Sequence, residues 1–125
     1  MLLFCVFAVR RQERESFKAA CMVRATCVFH VEVARIRFEK AAKATATAAE
    51  MLDEEHQARL QYSDQEKQRQ KDALHDAIKK QKEMLKYMKA CEGALQQSDE
   101  ECERAKCRFR SSIFLDCEFS EDDSD

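Results

Sequence analysis

Three pairs in this chain, Cys27 with His30, Asp53 with His56 and Asp72 with His75, have residue types and a three-residue spacing that could do chemistry. Residues three apart share a helix face, so each pair could offer two ligands to one metal ion. The first pair lacks two further ligands, and Cys21 sits well off its face, so a small thiol beside an incidental histidine is the better reading. The two Asp-x-x-His pairs would come roughly opposite one another if the chain turned at Ser63 and Asp64, and helical di-metal proteins use inward carboxylate-x-x-His pairs. Here Asp72 and His75 fall on the side of their helix away from its apolar seam, which makes them solvated side chains. No metal site is expected.

Other catalytic arrangements fare no better. The three histidines form no H-E-x-x-H, and no local Ser-His-Asp or Cys-His grouping appears. A single glycine, Gly93, cannot make a phosphate-cradling loop, which excludes the dinucleotide and P-loop classes. The sequence therefore predicts a non-enzymatic protein with no cofactor and no small-molecule substrate. Seven cysteines, an odd number with irregular spacing and no C-x-x-C, do not read as the disulfide framework of a small secreted domain. Reduced thiols in an intracellular, cytoplasmic setting are expected.

The elements that position these residues follow from what is missing. With no proline and one glycine, the chain lacks its strongest helix interrupters, and 37% of it is Asp, Glu, Lys or Arg. An all-α fold of long, solvated helices is predicted. Apolar residues 1–9 fall short of the ~20 that span a bilayer, and Arg10 and Arg11 follow where a signal peptide needs a cleavage site. Residues 1–15 are read as an apolar segment that packs on a partner or begins a longer helix.

Residues 16–61 are assigned to a first long helix. Phe17, Ala20, Cys27, Val31, Ala34 and Phe38 form one stripe, which continues through Ala41, Thr45, Ala48 and Leu52. Met22, Phe29, Val33 and Ile36 lie off it, so this segment wants cover on two sides. Residues 31–38 also alternate with period two and are rich in β-branched side chains, as a strand would be. Helix is preferred, because no turn residue separates them from the helical run that follows. In residues 40–50 six alanines and two threonines suit either a solvated rod or a close-packed seam.

Residues 66–110 carry the clearer heptad. Position a falls at Leu74, Gln81, Met88, Leu95, Cys102 and Phe109, and position d at Ala77, Met84, Cys91, Ser98 and Ala105, with Ile78 and Leu85 widening the stripe. Leu52 and Leu74 are 22 residues apart, three heptads plus one, so the two stripes do not share a frame. A drifting continuous rod is one solution. A coiled-coil-like helical hairpin, turning at residues 62–65 where Ser63-x-x-Glu66 matches a capping box, is preferred because its two arms are similar in length.

Three surfaces are candidates for partners. The seam formed by Phe38, Leu52, Leu74, Ile78, Met84, Leu85, Met88, Leu95 and Phe109 would pair with another helix, from the same chain, a second copy or a different protein. Lys79, Lys82, Lys86 and Lys89 make a basic ridge on the opposite face, where an anionic membrane surface is the alternative partner. Nucleic acid is the weakest option, because no aromatics or arginines interleave with these lysines. Residues 111–125 are read as an acidic, disordered tail: residues 116–125 hold six of the 24 acids and no base. Within it Ile113, Phe114 and Leu115 could add as a strand to a basic sheet edge, and Ser120 and Ser124 suit an acid-directed kinase.

Tyr87, Ala90, Ser98-Asp99-Glu100 and Glu103-Arg104 resemble the end of the coiled-coil SH3-domain-binding proteins that act as Rab exchange factors. The resemblance covers only that short segment and implies, at most, a coiled-coil regulator of a small GTPase. The family's proline-containing tyrosine motif is missing here, so no functional residue is carried over. The leading expectation is a coiled-coil interaction or scaffold protein that associates through helices.

Overall fold

The structure, a computed structural model, describes the backbone of residues 2–122 and the side chains of residues 5–113. It is an all-α helical hairpin in which α1 (Leu2–Met51) packs against α3 (Asp64–Asp122), with the short α2 (Glu54–Leu60) between them. There is no strand among the described residues, and 31–38 lie within α1. Seam positions Val31, Ala34 and Phe38 are buried or half-buried there, so packing at helical spacing outweighs the β-branched run. The apolar residues before Ser16 begin the same helix.

Packing divides the chain into two compact units, Met1–Phe29 with Gly93–Asp125, and His30–Glu92. In the second unit the helices meet through small side chains. Ala34 and Ala41 are buried together with Val31. Thr45 Oγ1 lies 3.0 Å from the carbonyl of Ala41 in its own helix and 3.2 Å from the carbonyl of Ala77 in α3. A threonine hydroxyl is short, and it reaches the backbone of a neighbouring helix only where no large side chain holds the two apart. The alanine-rich stretch is therefore a close-packed seam.

The same unit contains the turn. After Met51, Leu52 and Asp53 donate to carbonyls three residues back, and Asp53 takes an extended ψ of 129° that ends the helical path. In α2, Gln57 Nε2 donates to the Met51 carbonyl (3.4 Å), one of the acceptors a helix end leaves open. α2 closes with Gln61 in the left-handed conformation (φ 50°), while Tyr62 N–H donates to Gln57 O and Gln61 N–H to Ala58 O. That reversal normally uses glycine, and a side chain there costs about 1 kcal/mol. Ser63 then caps α3: its Oγ accepts the Glu66 N–H at 3.2 Å, with Asp64 and Glu66 in the positive first turn.

The first helix thus ends at Met51 instead of running to Gln61, and the reversal occupies residues 52–63. The helix ends sooner because Leu52 and Asp53 bond three residues back and Asp53 leaves the helical conformation. At the other end α3 continues as helix through Asp122, beyond the Arg110 boundary and into the segment expected to be disordered. Ser124 and the side chains of Phe114, Leu115 and Ser120 lie outside the described residues.

The other unit is joined differently. Phe17 and Phe109 stack with ring centroids 6.1 Å apart and an interplanar angle of 3°. Arg24 forms an ion pair with Asp99, and Arg108 pairs with Glu13 at 3.4 Å. Among its described residues the buried side chains are Ala105, Ser98 and Ser112.

Candidate functional site

Position by position, α3 presents its heptad as the spacing requires. Leu74, Ala77, Gln81, Met84, Met88, Cys91, Leu95, Cys102 and Phe109 are half-buried, Ser98 and Ala105 are buried, and the frame continues to buried Ser112. Phe38 on α1 and Leu52 just past its end are half-buried. Leu85 is half-buried as well, whereas Ile78 is exposed and does not widen the stripe. No large side chain is fully buried among the described residues. Two helices can enclose only a narrow strip, so the larger seam side chains of α3 keep an open flank while the small Ser98 and Ala105 are covered.

Charged residues flank that strip. Arg35 reaches Glu92 at 3.5 Å in one unit, and Arg24 reaches Asp99 in the other. The Asp99 carboxylate raises the Arg24 pKa, through its hydrogen bond first and its charge second, so the guanidinium stays ionised. Exposed pairs of this kind are screened by solvent and add little stability.

Lys79, Lys82, Lys86 and Lys89 are all exposed on α3. Nearer the seam, Arg37, Lys40 and Lys80 rim a recess of about 430 Å3 whose floor is Ala41, Ala44, Ala77 and Met84. The small residues that let the helices approach also leave this hollow. Ile113 is half-buried and extends the α3 stripe.

The candidate metal pairs are not brought together into a site. Among the described residues no group of three or more His, Cys, Asp or Glu is placed to hold a metal ion. Asp53, Asp72 and His75 are exposed, and Asp72 accepts a hydrogen bond from Gln68. His56 instead packs edge-on against Tyr62, ring centroids 6.4 Å apart.

Two further features lie beside the seam. The first is the Cys21–Cys102 contact, Sγ to Sγ 3.7 Å across the two helices. The second is the exposure of large apolar residues on α1 off the seam: Met22 is 73% exposed in one unit and Ile36 65% in the other. The apolar residues lying off the main α1 stripe signalled this second face. The cysteine contact could be found only by reflecting the chain about residues 61–63, which sets Cys21 opposite Cys102 and Arg24 opposite Asp99.

No helix among the described residues is long and apolar enough to cross a membrane. Comparison with protein families, with curated proteins and with solved structures finds no match to this chain.

Proposed function

We propose that this protein is a non-enzymatic helix-association module of coiled-coil type, whose paired helices offer a further apolar face to a second copy or a partner helix. The observation that carries the reading is the exposure of Met22 and Ile36, which helical spacing sets on one face of α1, although α1 is already paired through its other stripe. Exposed apolar residues in line on one helix favour association, at about 1.5 to 3 kcal/mol for each large side chain removed from water. The open flank of the α1–α3 seam supports the same reading, because a third or fourth helix would complete its burial.

Solution mass tests this. Sedimentation equilibrium over a wide concentration range should show reversible self-association, and Met22→Glu with Ile36→Glu should weaken it at least tenfold without changing helicity. A tenfold change corresponds to about 1.4 kcal/mol, less than the burial of one such side chain. A monomer at every concentration, or association indifferent to both substitutions, would sink the reading.

A further inference from the structure

We propose that Cys21 and Cys102 are a site of reversible oxidation, forming a disulfide that locks α1 to α3 within the unit Met1–Phe29 with Gly93–Asp125. Their sulfurs are 3.7 Å apart although 81 residues separate them in sequence. A disulfide requires ~2.05 Å, so closing the bond needs a movement of about 1.7 Å, within reach of side-chain rotation. The register is held on both sides of the pair. Phe17, one turn before Cys21, stacks on Phe109, and Arg24, one turn after it, pairs with Asp99, one turn before Cys102. The other described cysteines are Cys5 and Cys107, which are exposed, and Cys27 and Cys91, which are half-buried.

Access favours a defined order of events. Cys21 is exposed, while Cys102 is half-buried beside a recess of about 440 Å3 lined by Phe17, Arg24, Asp99, Glu103 and Lys106. The oxidant is a low-molecular-weight disulfide of the glutathione class. The Cys21 thiolate attacks one of its sulfurs, forming a mixed disulfide and releasing one thiolate. The Cys102 thiolate then attacks Cys21 Sγ, forming the protein disulfide and releasing the second thiolate. The two released thiolates take up the two protons given up by the cysteines. Two protein thiols are thereby oxidised and one small disulfide is reduced to two thiols. Burial, followed by the hydrogen bond with Cys21, pushes the Cys102 thiol up from its ordinary range, while the Arg24 charge opposes that shift. Both attacks require a thiolate; exposure assigns the first to Cys21, and the raised Cys102 thiol makes resolution faster as pH rises.

Linking residues so far apart restricts the unfolded chain strongly, so oxidation should raise the melting temperature by roughly 10 °C. The test uses the full chain with all seven cysteines, held folded in reduced and then oxidised glutathione, with free thiols alkylated before peptide mapping. The expected result is a Cys21–Cys102 linked peptide, an intact mass lower by two hydrogen atoms, and a melting-temperature rise that dithiothreitol reverses. Cys21→Ser and Cys102→Ser should each abolish the link and the rise, whereas Cys107→Ser keeps both. If Cys102→Ser fails to fold, mapping of the parent still decides. Full alkylation of Cys21 and Cys102 in oxidised glutathione would overturn the proposal. A glutathione adduct that persists on Cys21, or links dominated by other cysteines or by a second chain, would overturn it as well.

Discussion

The two units hold the same pair of helices together by different means. In His30–Glu92 the contact is close and apolar: Val31, Ala34 and Ala41 are buried, and the Thr45 hydroxyl touches the opposite backbone. In Met1–Phe29 with Gly93–Asp125 the buried positions are Ala105 and two serines, and Ser98 Oγ has no hydrogen-bond partner. An aromatic stack, ion pairs and a thiol pair supply the rest. Close packing excludes water and is insensitive to salt, whereas exposed charge pairs are screened and contribute little each. The first arrangement fixes the hairpin next to its turn. The second rests on contacts that a redox lock would reinforce.

Substitutions can break this contrast from its strongest point downward. Met88→Lys, in the His30–Glu92 unit, places a charge at a half-buried seam position and removes its packing, costing about 2 to 4 kcal/mol. Lys86→Glu, exposed on the outer face of the same helix, should change stability by less than about 0.5 kcal/mol. Circular dichroism melts of both variants beside the parent check the pair. Equal melting points for Met88→Lys and the parent would mean that the α3 stripe is not a seam.

A smaller effect sharpens the boundary between the units. Gly93 sits exposed inside α3, at the first residue of the unit's second segment, and a Cβ there would meet nothing within 4 Å. Gly93→Ala should therefore stabilise the protein by about 0.5 to 1 kcal/mol, through helix propensity alone, read as a higher urea midpoint with an unchanged slope.

The legible part of this structure is the part written in helical spacing. The α3 frame from Leu74 to Phe109 could be read because each a and d position repeats a local rule, and Ser63-x-x-Glu66 because capping is local too. Ile78 departs from it: the two-helix contact is too narrow to cover that flank near the turn. The limits of the turn were not legible, since Gln61 adopts a conformation that sequence patterns associate with glycine and Asp53 opens α2 without a side-chain capping bond. The Cys21–Cys102 contact was hidden for a different reason. Its partners become neighbours only when the register of the hairpin is known, and no local spacing carries that register.

Hydrogen–deuterium exchange followed by mass spectrometry, on dilute and concentrated reduced protein, tests the account most directly. In dilute protein the amides of the His30–Glu92 unit should exchange more slowly than those of residues 10–29 and 93–113, because the close apolar seam opens least. On concentration, protection should rise along α1 around Met22 and Ile36, where a second copy would cover the exposed face. Uniform protection along both helices, unchanged by concentration, would contradict both the contrast between the units and the association through α1.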